Sequence, residues 1–203
     1  MNSLIKEIEK LKKSEIKKQV KTRIKEFESF KNKPNNSWFS ELCFCILTAN
    51  SKAETAIKIQ KEIGDNFHIS TKIKQIIKKH KHRFYNNKTH YILETRKYKD
   101  IKAIIKKEKQ PREWLVRNIK GLGYKEASHF LRNIGYKKFA IIDRHILKIL
   151  EEHKIIKEIP KTITKNKYLE IEKKFNSIAN KVKLSPAELD LLLWYSKTGK
   201  VLK

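Results

Sequence analysis

Cysteine is almost absent from this chain of 203 residues, since Cys43 and Cys45 are its only two. Two cysteines inside one apolar stretch supply neither a disulfide framework nor the four ligands of a zinc or iron–sulfur site. The histidines show no spacing that pairs them with cysteines or acidic residues as metal ligands. We therefore expect two small core residues in a reducing cytoplasm, no iron–sulfur cluster, no catalytic metal and no organic cofactor.

Glycine and proline are also scarce, with five and four residues, and no apolar run approaches the length of a membrane span. The first twelve residues alternate apolar and charged side chains instead of forming the apolar block of a signal peptide. The lack of a long apolar run argues against a membrane-spanning protein, and the first twelve residues give no sign of export. We expect a globular protein of the cytoplasm.

Apolar residues recur mostly at helical spacing, as in Ile5, Ile8 and Leu11, or Ile73 and Ile77. With so few breaks between such segments, the sequence predicts an all-α fold of roughly ten helices. It contains no internal repeat and no low-complexity linker. We therefore expect one domain over residues 1–203, in which any lobes are formed by noncontiguous helices.

The formal net charge of +27 gives the first indication of function. A surface this positive attracts polyanions and gains free energy from the counterions that they release. Nucleic acid is favoured over a membrane surface, because no helix combines a basic face with a broad aromatic face for insertion. A lysine-rich composition also arises from genome bias or from adaptation to heat, so the charge alone does not identify an activity.

Two of the glycines, Gly121 and Gly123, lie close together between two apolar helical segments. This pattern predicts a helix-hairpin-helix motif over about residues 111–135, in which glycine permits a tight turn close to a ligand. The free N–H groups at the start of the second helix suit a DNA phosphate, and such a contact carries no base sequence information. An ordinary glycine-containing turn between two helices explains the two glycines equally well.

Lys125 and Asp143 are the candidate catalytic residues. Lys125 opens the second helix of the hairpin, where its amine could reach a deoxyribose; the alternative role is simple phosphate binding. Asp143 follows an apolar run and precedes another helix, 18 residues further on, so it could stabilise positive charge on a sugar. An aspartate in such a position is often only the N-cap of the next helix.

The last helix has the clearest predicted boundaries in the chain. Ser185 is the expected N-cap, Pro186 the first helical residue, and Glu188 the partner of Ser185 in a capping box. The helix should continue to about Lys197 and stop at Gly199.

Taken together, the hairpin, the lysine after Gly-Leu-Gly-Tyr and the Ile-Asp-Arg-His segment resemble the helix-hairpin-helix superfamily of DNA glycosylases. The resemblance is closest to the archaeal type-2 8-oxoguanine DNA glycosylase/AP lyases. It implies two helical lobes flanking a cleft, and excision of 8-oxoguanine from duplex DNA by a monomer in base excision repair. The matching segments cover nearly the whole chain and include residues 42–50, 82–85, 116–147 and 189–203.

The resemblance also implies roles for individual residues. Lys125 would attack the sugar carbon C1′, form a Schiff base and allow β-elimination on the 3′ side, with Asp143 assisting both steps. Asn50 would be the polar residue that fills the space left by the flipped nucleotide. The residues implied to hold the DNA backbone, with a monovalent cation at the hairpin, are Lys120, Gly121, Gly123 and His145.

Four residues are implied to bind the damaged base, which must leave the helical stack to expose its glycosidic bond. Phe84 and Trp194 would stack on its two faces, although ordinary core packing is the alternative for both rings. Asp190 would accept hydrogen bonds from the guanine edge. The α-carboxylate of Lys203 would also contact the base, and here the alternative is a frayed terminus.

Two other functions remain compatible with the residues alone. A related glycosylase for oxidised pyrimidines or for adenine would share the hairpin, although those families usually carry a C-terminal four-cysteine cluster loop. A noncatalytic DNA-binding protein would explain the charge and the hairpin but not the combination of Lys125 with Asp143.

Overall fold

The computed structural model of the chain describes residues 2–201 and residue 203. Within this part of the chain the structure is entirely helical and contains no strand, which confirms the predicted fold class. Short 3-10 helices cover Phe30–Asn32 and Arg96–Tyr98. The α-helices are α1 (Asn2–Lys13), α2 (Ile16–Ser29), α3 (Asn35–Thr48), α4 (Ala53–Ile63), α5 (Ile73–Lys79), α6 (Tyr85–Thr95), α7 (Ile101–Lys107), α8 (Pro111–Asn118), α9 (Tyr124–Asn133), α10 (Arg144–Glu152), α11 (Lys165–Lys181) and α12 (Pro186–Thr198).

The described residues form twelve α-helices where the sequence suggested about ten. One additional boundary separates α1 from α2 at Ser14 and Glu15, and another separates α3 from α4 near Ala49. Neither boundary contains glycine or proline, the residues that most strongly indicate a break between helices. None of the helices in the described residues is both long and apolar enough to cross a bilayer.

The chain divides into two compact units. The first consists of Met1–Ser29 together with Gly135–Lys203, and the second of Phe30–Ile134. One unit is thus assembled from both ends of the chain.

In the second unit, α3 is the central helix and packs against α4, α6, α7 and α9. It is buried along nearly its whole length, and Cys43 and Cys45 lie in this core as free thiols, as predicted. The buried carboxylate of Glu41 ties three helices together, because it accepts hydrogen bonds from Asn133 of α9 (2.6 Å) and Gln60 of α4 (3.1 Å). These polar contacts fix α9, the helix that carries Lys125.

In the first unit, α2 packs against α12, and α10 and α11 also contact α12. The predicted boundaries of α12 are confirmed. The Ser185 hydroxyl accepts a hydrogen bond from the amide of Glu188 (3.3 Å), and the amide of Ser185 donates to the Glu188 carboxylate (2.8 Å). The helix ends at Thr198, and Gly199 adopts the left-handed conformation that terminates it (φ 68°).

Candidate active site

The hairpin is formed by α8, a five-residue connection and α9. Gly121 is required at its tip for two reasons. Its backbone has a φ of +85°, which side chains with a Cβ rarely adopt, and a Cβ at this position would lie 2.5 Å from Cδ2 of Tyr91 on α6. The glycine therefore lets the tip of the hairpin lie directly against the ring of Tyr91.

The carboxylate of Glu126 lies at the start of α9. Gly123, the residue before the helix, has no side chain to cap it, and its own amide donates a hydrogen bond to Oε2 of Glu126 (3.2 Å). The carboxylate is suited to this position because the N-terminal end of a helix carries partial positive charge. A phosphate that used the Gly123 amide, as the family resemblance implies, would have to displace Glu126.

Lys125 is the second residue of α9, and 30% of its side chain is exposed. Its Nζ lies 3.0 Å from Oε1 of Glu126. The Glu126 carboxylate therefore forms an ion pair with Lys125 and also accepts the hydrogen bond of the Gly123 amide. A nucleophilic amine is uncharged, so this ion pair must separate before Lys125 can react.

Asp143 is the N-cap of α10, as the simpler interpretation of the sequence predicted. Its Oδ1 accepts a hydrogen bond from the amide of Ile146 (2.9 Å), and the residue is half-buried. Its second carboxylate oxygen makes no hydrogen bond or ion pair within residues 2–201 and 203. Capping and catalysis are therefore compatible, because capping occupies only one oxygen.

Tyr168 of α11 fixes the segment that leads to Asp143. Its buried hydroxyl donates to the carbonyl of Ala140 (3.0 Å) and accepts a hydrogen bond from the amide of Ile142 (3.4 Å). The two residues before Asp143 are apolar and buried. Asp143 thus lies at the end of an anchored segment of the first unit, whereas Lys125 belongs to the second.

The first unit also carries the ring and the carboxylate implied to bind the base. Trp194 on α12 is half-buried, with the exposed His145 of α10 against it edge-on at 6.1 Å between ring centroids. The core-packing alternative therefore fits Trp194 only in part. Asp190, one helical turn earlier, is 2% exposed.

The C-terminal tail folds back instead of fraying. After the turn at Gly199, Val201 packs against the apolar cluster between α2 and α12, and its carbonyl accepts a hydrogen bond from Arg23 (3.4 Å). Leu202 lies outside the described residues, and Lys203 is half-buried. The frayed-terminus alternative is therefore wrong as far as Val201.

Phe84 belongs to the second unit, where it is the half-buried N-cap residue of α6. The carbonyl of Leu47 can only accept a hydrogen bond, so the Nε2 atom of His82 donates to it (2.9 Å). The Nδ1 atom then accepts from the amide of Phe84 (3.1 Å). Burial lowers the pKa of His82, which favours this neutral form. The guanidinium of Arg83 lies 5.0 Å from the centre of the Phe84 ring, so a stacked base must share that ring with Arg83.

Two further DNA-contact candidates, Asn50 and Lys120, are exposed. Asn50 lies in the turn between α3 and α4 with a φ of 58°, a left-handed conformation that asparagine tolerates better than most residues. Lys120 in the hairpin lies 3.3 Å from the carboxylate of Glu94. Both side chains are available at the surface of the second unit.

The sequence interpretation missed two charged residues, one next to Lys125 and one buried on α6. Glu126 follows Gly123 at the spacing of a capping box, and that signal could have identified it. Lys88 on α6 is only 4% exposed, although in the sequence it resembles the lysines of solvated helix faces. Burial lowers the pKa of Lys88 to about 8, Glu126 acts to raise it and Lys125 acts to lower it. Nothing in the sequence indicated this burial.

No cluster of three or more histidine, cysteine, aspartate or glutamate side chains arranged for a metal ion occurs among the described residues.

Comparison with known proteins agrees with these features. The family described as 8-oxoguanine DNA glycosylase matches residues 20–184. An 8-oxoguanine DNA glycosylase/AP lyase of Methanocaldococcus jannaschii is 57% identical over 98% of this chain and 99% of its own. The crystal structure of the 8-oxoguanine glycosylase/lyase of that organism, in complex with a 15mer DNA containing 8-oxoguanine, has a TM-score of 0.96 at 55% identity and covers 99% of this chain and 100% of its own. The 8-oxoguanine DNA glycosylase of Thermotoga maritima has a TM-score of 0.93 at 40% identity and covers 100% of this chain and 99% of its own. The family resemblance inferred from the sequence is confirmed, and the chain belongs to the 8-oxoguanine DNA glycosylase family.

Proposed function

We propose that this chain removes 8-oxoguanine from duplex DNA and then cleaves the strand, with Lys125 as the nucleophile and Asp143 as its electrostatic partner. The enzyme class is that of its relatives, which are named 8-oxoguanine DNA glycosylase/AP lyases, and we place its reaction in base excision repair. The observation that carries the detailed proposal is the position of Lys125. It is a partly exposed amine in the first turn of α9, directly after a hairpin suited to the DNA backbone.

In the proposed reaction, the uncharged amine of Lys125 attacks C1′ of an extruded nucleotide as the bond from C1′ to the base breaks. The base departs with a proton, and opening of the sugar ring gives a Schiff base between Lys125 and C1′. Loss of a proton from C2′ then expels the 3′ phosphate by β-elimination. These steps involve no net oxidation or reduction, so they require no redox cofactor. We propose that no catalytic metal takes part either, because the Lys125 amine supplies the nucleophile that a metal-bound water would otherwise supply.

Asp143 would stabilise the positive charge that develops on the sugar as the base leaves. The contact between the amide of Ile146 and Oδ1 fixes the orientation of the carboxylate, while its second oxygen is not engaged within the described residues. The same carboxylate could move protons during ring opening and elimination.

The base would be held by stacking and by carboxylates. We propose that Phe84 and Trp194 stack on its faces, while Asp190 and the α-carboxylate of Lys203 accept N–H groups of the guanine edge. A carboxylate suits this edge because it only accepts hydrogen bonds, and guanine presents several donors there. The ordering of the tail as far as Val201 supports a defined position for the terminal carboxylate.

The DNA backbone would be gripped mainly without sequence readout. We propose phosphate contacts for Lys120, for His145 and for the hairpin around Gly121 and Gly123, where a monovalent cation would add positive charge for the phosphate. Asn50 would fill the space left by the extruded nucleotide, and the enzyme would act as a monomer. The net charge of +27 supports a strong, salt-sensitive attraction to DNA.

Base release from matched duplexes tests the proposed substrate. The purified chain should release 8-oxoguanine much faster than guanine, adenine or thymine glycol from duplexes of otherwise identical sequence. Faster release of thymine glycol or adenine would assign the chain to a different lesion. Binding without release of any base would favour the noncatalytic alternative.

Replacing the terminal α-carboxylate with an amide should reduce the selectivity for 8-oxoguanine over guanine, because an amide adds a donor where the guanine edge also donates. The change leaves Val201 in its apolar contact, so the unfolding temperature should stay unchanged. Single-turnover excision of both bases by the amidated and the unmodified chain, prepared by the same ligation, measures the effect. Unaltered selectivity would show that the terminal carboxylate does not contact the base.

A further inference from the structure

Glu126 contacts two groups of the candidate site, one with each of its carboxylate oxygens. Oε1 lies 3.0 Å from Nζ of Lys125, and Oε2 accepts the hydrogen bond of the Gly123 amide at 3.2 Å. The nucleophile candidate and a backbone donor suited to a DNA phosphate therefore share one carboxylate. The position of this carboxylate thus bears both on DNA binding and on the reactivity of Lys125.

The contact between Lys125 and Glu126 is uncommon for neighbouring residues of a helix. Side chains at positions i and i+1 normally do not face each other, so both must bend toward the same point at the start of α9. Gly123 leaves room for this arrangement, because a Cβ at that position would lie only 3.3 Å from Oε2 of Glu126. The φ of Gly123 is −93°, which any residue can adopt, so space and not backbone conformation favours glycine here.

The side chain of Glu126 is also well shielded from water. Only 13% of it is exposed, against 48% for Glu170, which forms an ion pair of similar length with Lys167 (2.9 Å). An ion pair that is shielded from solvent is less screened and therefore stronger. In the DNA-free chain, Glu126 thus holds Lys125 in the charged form that cannot attack a sugar.

A DNA phosphate would compete with Glu126 for one donor. The Gly123 amide carries a single hydrogen, and Oε2 of Glu126 already accepts it. A phosphate at this amide would also repel the carboxylate, because two negative charges a few ångströms apart raise the energy of both. Loss of the amide contact removes the hydrogen bond that directs the carboxylate toward Lys125.

We propose that Glu126 is a positioning residue that couples DNA binding to release of the nucleophile: it holds the Lys125 ammonium in the free chain, and a phosphate that binds the Gly123 amide displaces it. The partly exposed side chain of Lys125 can then pass its proton to water and react as the free amine. The inference rests on the proposed function, because it assumes that Lys125 is the nucleophile and that the hairpin binds a phosphate.

Capping of α9 explains only one of the two contacts. A glutamate in a capping box needs only its hydrogen bond to the backbone before the helix, as Glu188 makes with Ser185 in α12. If Glu126 had this role alone, its replacement would lower the unfolding temperature without a specific effect on the Lys125 amine. The reactivity of that amine therefore separates a positioning role from a structural one.

Reductive methylation of the DNA-free, full-length chain measures the hold of Glu126 on Lys125. Formaldehyde and cyanoborohydride modify uncharged amines, and peptide mass spectrometry gives the rate at each lysine. In Glu126→Gln the rate at Lys125 should rise by up to about fivefold, the factor that loss of a partly exposed ion pair allows. The rate at Lys120 in the same hairpin should stay unchanged, because its partner is Glu94.

Glu170→Gln is the matched control. It removes the same charge from an ion pair of the other unit, so it should accelerate Lys167 and leave Lys125 unaffected. An unaltered rate at Lys125 in Glu126→Gln would overturn the inference. Equal acceleration of Lys120 and Lys125 would indicate that the hairpin has loosened, which would leave Glu126 with a capping role only.

A methylphosphonate scan of an undamaged duplex tests the displacement itself. Each methylphosphonate replaces one charged phosphate with a neutral group, so the scan can locate the phosphate that competes with Glu126. Glu126→Gln should bind the unmodified duplex more tightly than the wild type does, and this gain should vanish at one scanned position. A gain of equal size at every position would show only general repulsion between Glu126 and DNA, contrary to the proposal.

A titration of the wild-type chain covers the case in which Glu126→Gln does not fold. When undamaged duplex is added and followed by NMR, the signals of the Gly123 amide and the Lys125 ammonium should change at the same DNA concentrations. A change in the amide without one in the ammonium would refute the coupling. Neither this titration nor the methylation depends on base release, whereas persistence of the trapped adduct in Lys125→Gln would refute the proposed function itself.

Discussion

Lys125→Gln is expected to abolish the covalent adduct that borohydride traps between the chain and 8-oxoguanine DNA. Glutamine has no amine that can form a Schiff base, so both the trapped species and strand cleavage should fall to background. Folding should be little affected, because the lost ion pair with Glu126 is partly exposed and contributes less than about 1 kcal/mol. Binding to lesion DNA should be retained, as a gel-shift titration at fixed salt would show.

Lys167→Gln is the matched control. Lys167 also lies in the first turn of a helix, α11, and also pairs with a glutamate, Glu170 at 2.9 Å. Its replacement removes the same charge in the same local setting and should leave the adduct intact. An adduct of normal yield in Lys125→Gln would place the nucleophile on another residue.

Asp143→Asn should lower excision by at least about a hundredfold, because the electrostatic stabilisation of the sugar cation is removed. Asparagine caps helices as well as aspartate does, so the bond to the amide of Ile146 and the unfolding temperature should be preserved. Single-turnover excision and thermal unfolding of the same preparation separate the two roles. In Asp143→Ala, which loses both functions, excision and stability should fall together.

Thr164→Ala controls for the loss of a helix cap alone. Thr164 is the N-cap of α11, where its hydroxyl accepts a hydrogen bond from the amide of Lys167 (3.3 Å). Its removal should cost about 1 kcal/mol of stability without changing excision. If Asp143→Asn retains near-normal excision, Asp143 has only the capping role that the structure already shows.

The features that the sequence predicted well depend on local rules. The ends of α12 follow from Ser185, Glu188 and Gly199, each of which acts within one helical turn. The turn of the hairpin follows from closely spaced glycines, and Gly121 does adopt the positive φ that only such a residue accepts easily. Local rules of this kind can be applied before any tertiary contact is known.

The features that the sequence could not reveal depend on contacts between distant segments. Lys88 lies 37 positions before Lys125, and only the packing of α6 buries it and places it near the charges of α9. Glu126 shows the intermediate case, since its hydrogen bond to Gly123 was predictable from spacing and its ion pair with Lys125 was not. Asp143 satisfies a local capping rule and a proposed chemical role at once, so the local rule alone could not decide between them.

The most direct test of the account identifies the residue that becomes joined to DNA. Wild-type chain would be trapped with borohydride on an 8-oxoguanine duplex, digested with protease and nuclease, and analysed by tandem mass spectrometry. We predict a single modified peptide with the sugar remnant on Nζ of Lys125. Modification of any other amine, or the absence of a covalent product under conditions in which 8-oxoguanine is released, would contradict the account.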